Sequence, residues 1–110
     1  MMSDFRVIRM ILQDARTELR LHEYQNIYIA RDRKGRSCSP MKEGFVQLSF
    51  HGAIIRACRN NKQQASVFAW LTEVGLLPKM QPATKEDCLE WFDRTIRRAE
   101  LDIKNTMADA

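Results

Sequence analysis

Apolar residues recur every three or four positions through the first fifth of the chain. Phe5, Ile8, Ile11, Leu12, Ala15 and Leu19 fall on one face of a helix. The pattern predicts a helix over residues 4–23, capped by Ser3. Arg6, Arg9, Arg16 and Arg20 lie mostly on its outer side, with Asp14 and Glu18 as spaced partners. From 24 to 43 the helical period is lost. Ile27-Tyr28-Ile29-Ala30 is rich in β-formers, and the polar run Arg31-Asp32-Arg33-Lys34-Gly35-Arg36 contains a glycine. A short β-ribbon or an irregular basic arm is expected there, leading through Ser37-Cys38-Ser39-Pro40 toward the next helix.

A second helix is predicted over 44–59. Phe45, Leu48, Ile55 and Cys58 form one seam and Phe50, Ala53, Ile54 and Ala57 another. A helix apolar on two sides belongs at the centre of a fold, and Gly52 in its middle is expected to let a neighbouring helix approach closely. Asn60-Asn61 should end it. A third helix follows over 62–74, with Ala65, Phe68, Ala69, Leu71 and Val74 inward and Gly75-Leu76 as its C-terminal cap. The fourth, over 85–105, has the clearest start signal. Thr84 is a natural cap, and Glu86 and Asp87 sit in the first turn, where the helix dipole favours acids. Its stripe is Cys88, Leu89, Phe92, Ile96, Ala99, Ile103 and Met107. Trp70 is expected to pack, and Trp91 to lie at the core edge or on the surface. The fold class expected is mainly α: a compact bundle of about four helices in one domain over 1–110, with the ribbon or arm between helices one and two.

Composition changes little in this picture. Hydrophobic residues make up 45% and charged residues 29% of the 110, an ordinary globular balance that excludes a disordered chain. No apolar run reaches the roughly 18–20 residues of a membrane span, and the N-terminus lacks the apolar core of a signal peptide. Cys38, Cys58 and Cys88 are scattered, with no CxxC pair, and read as free thiols of a cytoplasmic protein, Cys58 and Cys88 in the core. The net charge of +4 favours a polyanionic partner without requiring one.

The search for reactive groups returns little. His22 and His51 are far apart, no cysteine or serine stands in a local nucleophile signature, and the four glycines form no phosphate loop. No catalytic, metal or cofactor residues are therefore assigned; a small enzyme using His51 with a cysteine or serine stays as a third reading. A helix-turn-helix is poorly matched, because the third helix turns apolar through Trp70 and Leu71. The suggestive feature is cationic. Arg31, Arg33, Lys34, Arg36 and Lys42 fall within twelve residues, opposed by Asp32 and preceded by Tyr24 and Tyr28. Arginines beside aromatics can contact phosphates and stack on bases, while a plain solvated turn would carry the same charges for solubility. A second group, Arg94, Arg97 and Arg98, lies on the last helix; Arg94 and Arg98 share a face, and Glu90 can pair with Arg94.

The order of a helix, the segment Ala30-Arg31-Asp32-Arg33-Lys34-Gly35-Arg36, a helix with Gly52-Ala53, and a late Trp91-Phe92-Asp93-Arg94-Thr95 resembles a family of small bacterial and phage proteins of unknown function. Those show an Ala-Arg-Asp-x-x-Gly-Arg segment, a Cys-x-x-Gly-Ala helix and Trp-Asn-Asp before Arg-Thr. His51 and Phe92 depart from that pattern. The resemblance implies a bacterial or phage setting and transfers no activity. The leading expectation is a non-enzymatic binding module, of phage or prophage type, that occupies a host protein complex as small anti-CRISPR inhibitors do. The alternative is direct DNA or RNA binding through Tyr28, Arg31, Arg33, Lys34, Arg36, Lys42, Arg94 and Arg98. Homodimerisation is left open.

Overall fold

The computed structural model describes residues 4–26, 29–41 and 43–108. Helix α1 (Phe5–Leu21) opens with Asp4, whose carboxylate accepts from the Arg6 and Val7 amides, so the cap is one residue later than expected; Ser3 lies outside the described residues. Its inward stripe is the expected one: Ile8, Ile11, Leu12, Ala15 and Leu19 are all buried. The helix stops at Leu21, two residues early, because Glu23–Tyr24 leave it as strand β1.

The non-helical region is a three-stranded sheet. β2 (Ala30–Asp32) and β3 (Phe45–Leu48) pair antiparallel, while β1 pairs parallel with the other side of β3, giving the order β1-β3-β2. The expected second helix is thus corrected at its start. Residues 45–48 are a strand, and α2 (Phe50–Ala57) begins six residues later than Gly44 and ends before Cys58. Two local facts decide this. Gly44 has φ +98°, which no helix start adopts, and Ser49 supplies the real cap, its hydroxyl accepting from the Gly52 amide at 3.0 Å.

Helix α3 (Asn61–Glu73) is capped by Asn60, whose side chain accepts from the Gln63 amide at 2.9 Å. Asn60 therefore starts this helix. Its inward face is Val67, Trp70 and Leu71; Ala65 and Ala69, expected inside, are exposed. Gly75 at φ +74° closes it, and the Leu76 amide reaches back to the Leu71 carbonyl at 3.0 Å. Helix α4 (Lys85–Ala108) starts at Thr84 as expected and runs past Asn105. Cys88, Trp91, Phe92, Thr95 and Ala99 are buried, whereas Met107 is 62% exposed, so the stripe fades at the C-terminal end.

The main core joins all four helices: Ile8, Ile11, Leu12, Ala15 and Leu19 meet Phe50, Ile54, Trp70, Leu71, Trp91 and Phe92. Both tryptophans are inside, and each spends its N–H inside too, Trp70 on Asp102 and Trp91 on the Leu76 carbonyl, both at 2.9 Å. Arg16 binds Asp93 across α1 and α4 at 2.7 Å. A second, much smaller cluster lies under the sheet: Ala30, Phe45 and Leu48, with Cys38 against it. The fold is mainly α, four helices with a small sheet between the first two. No helix among the described residues is long and apolar enough to cross a membrane.

Candidate interaction surface on the basic hairpin

After β2 the chain turns back on itself. The Gly35 amide donates to the Asp32 carbonyl, the Asp32 amide to the Arg36 carbonyl, and the Cys38 amide to the Ala30 carbonyl, at 3.0, 3.0 and 3.1 Å. Gly35 sits at φ +78°, a left-handed conformation that side chains resist, which is why glycine falls there. The Asp32 carboxylate folds over this turn. One oxygen accepts from the Lys34 and Arg36 amides at 2.9 and 3.0 Å, the other from Arg36 Nε at 3.3 Å. These contacts, the Arg36 amide foremost, hold the carboxyl below its ordinary range. The Lys34 and Arg36 amides are thus already occupied by the chain's own anion.

Outward from that turn stand Arg33, Lys34 and Arg36, all exposed. Arg36 is paired with Asp32; Arg33 and Lys34 make no ion pair with any described residue. Arg31 lies lower on β2, half-buried. Tyr28 and Lys42, also expected in this surface, lie outside the described residues.

The hairpin is fastened to the helices by one arginine. Arg56 of α2 binds Glu18 of α1 through Nε at 3.0 Å, donates from Nη1 to the Pro40 carbonyl at 3.0 Å, and lies over the Phe45 ring at 4.6 Å. His22 meets the same ring at 4.5 Å and hydrogen-bonds through Nδ1 with the Glu18 carbonyl. A second fastening is the Ile29 carbonyl, which accepts the Ser49 amide and hydroxyl, each at 3.1 Å, and passes directly over Gly52. A Cβ at position 52 would stand 2.1 Å from that oxygen. The close approach that Gly52 permits is therefore to a strand entry and not to a helix.

The second basic group is elsewhere. Lys85, at the start of α4, donates to the Arg20 and His22 carbonyls where α1 ends beside the sheet. At roughly 1.5 Å per residue, Arg98 is about 20 Å further along the helix. It binds Asp102 at 3.1 Å, and Asp102 also holds Trp70 on the α3 side; Arg94 pairs with Glu90 at 3.7 Å, as its spacing foretold. Arg94 and Arg98 are thus each held by an acid of their own helix. Tyr24, the aromatic expected beside the arm, is drawn inward, its hydroxyl donating to the Pro82 carbonyl and its phenol pKa raised by burial. Comparison with family models, with curated proteins and with solved structures returns no match.

His51 is stacked on Phe68 at 5.2 Å and meets Phe50 edge-on at 5.0 Å, and burial lowers its pKa. Cys58 and Cys88 are buried thiols pushed up to about 11 and about 12 by desolvation. No group of three or more His, Cys, Asp or Glu among the described residues is arranged to hold a metal ion.

Proposed function

We propose that this chain is a non-enzymatic binding module that docks on an acidic face of a protein partner through its basic hairpin. The observation that carries the reading is the division of labour in the turn. Asp32 takes the Lys34, Gly35 and Arg36 amides, Arg56 and the Ile29 carbonyl fix the base of the turn, and Arg33 and Lys34 are left exposed without an ion pair to any described residue. A pre-ordered loop loses little conformational entropy on docking, and exposed cations steer it to a negative surface. Arg94 and Arg98 are already paired to acids and Tyr24 is turned inward. That disfavours a nucleic-acid track, which needs cations spread along a backbone and rings open for stacking.

The setting we infer is cytoplasmic, on the scattered free thiols, and of phage or prophage type, on the family resemblance alone. In it such a module would occupy a host complex and block or modulate it, as anti-CRISPR inhibitors do. The test is affinity capture from nuclease-treated bacterial lysate with the wild-type chain and an Arg33→Ala/Lys34→Ala variant. A stoichiometric protein held by the first and released by the second is the expected result. A partner kept equally by both, or lost on nuclease treatment, overturns the reading.

A further inference from the structure

Beside the hairpin lies a cleft of about 460 Å³ lined by Asp32, Arg36, Ser37, Cys38, Glu43 and Phe45, a volume within the range of pockets that enclose small groups. Its charges are not all available. Both Asp32 oxygens are engaged within the turn, as described above. Arg36 gives only Nε to Asp32, and its side chain is 69% exposed, so the outer edge of its guanidinium still presents donors to a ligand. Glu43, on the facing segment, is exposed and makes no ion pair with any described residue. One cation and one carboxylate thus flank a floor at the half-buried Cys38, with the Phe45 ring buried behind it under Arg56 and His22. A phosphate chain entering here would meet Glu43, and a purely acidic peptide would leave Glu43 unmatched.

We propose that this cleft takes a short segment of the partner protein that carries an acid and a base on either side of a small apolar side chain. The acid meets Arg36, the base meets Glu43, and the small apolar group sits against Cys38. The inference rests on the binding-module reading and adds the chemistry of what is bound.

It is tested by NMR titration of the full chain with capped Glu-Ala-Leu-Lys, capped Glu-Ala-Leu-Glu and a short DNA duplex. The expected result is amide shifts at residues 32–38 and 43–45, with the mixed peptide preferred over the acidic one by about fivefold, a difference near 1 kcal/mol. Glu43→Lys should reverse that order while leaving the helix resonances in place. Equal or tighter binding of the acidic peptide or the duplex, a preference unmoved by Glu43→Lys, or absence of shifts in the cleft overturns the proposal. Should the proposal fail while Arg33→Ala/Lys34→Ala still releases the captured partner, only the cleft's role falls and the hairpin reading stands.

Discussion

The helical body and the hairpin arm are held by different physics. The body buries Trp70, Phe50, Phe92 and a run of leucines and isoleucines at or near zero exposure, so it is stabilised by burial and close packing. The arm has only Ala30, Phe45 and Leu48 beneath it. What keeps it in place is directional: one arginine reaching α1, Pro40 and Phe45 together, and one carbonyl lodged over a glycine. Burial tolerates small shifts of position, whereas such bonds fix one arrangement. A segment that must present cations at a defined place is better served by the second kind of fastening.

The contrast can be broken from either side. Phe92→Ala opens a cavity in the body and should cost about 3–5 kcal/mol, read as a lower denaturation midpoint with arm and body unfolding together. Gly52→Ala comes next. In an ordinary helix interior it would gain about 1 kcal/mol, but here the methyl collides with backbone at Ile29. The net effect should be a loss of roughly 2–3 kcal/mol, with hydrogen exchange quickening first at the Ser49 and Cys38 amides. Arg56→Ala is smaller. Its ion pair is partly solvent-screened, so the loss should be about 1–2 kcal/mol, confined to the arm, with the α4 amides still protected.

The smallest effect is with pH. Burial lowers the His51 pKa below 6.5, so the folded state prefers the neutral ring; its contribution to stability is present above 6.5 and is lost as pH falls through the lowered value. His51→Phe, which keeps a ring against Phe68, should flatten that acid limb in a pH series of denaturation midpoints. An unchanged limb would mean that His51 is not its source.

The body was largely legible in the sequence. The α1 stripe, the Thr84 cap and the Gly75-Leu76 closure are local signals, each decided within a few residues. The start of α2 was not, because Phe45 and Leu48, three apart, fit a helix seam as well as a short irregular strand, and only the Gly44 backbone and the Ser49 cap separate the two. The arm's cations were visible as a run, and Glu90 as the partner of Arg94. Asp102, equally well spaced from Arg98, was overlooked. Its fastening was invisible: Glu18 and Arg56 are 38 positions apart, and Ser49 and Ile29 are 20 apart.

A hairpin that recognises a protein should not bind a nucleic-acid backbone tightly. The most direct measurement is the affinity of the purified chain for labelled single- and double-stranded DNA and RNA across a salt series. At most, weak binding is expected at low salt that vanishes near physiological ionic strength, since Arg33, Lys34 and Arg36 can neutralise only about two to three phosphates. Micromolar or tighter binding that persists there and disappears in Arg33→Ala/Lys34→Ala would contradict that reading of the hairpin.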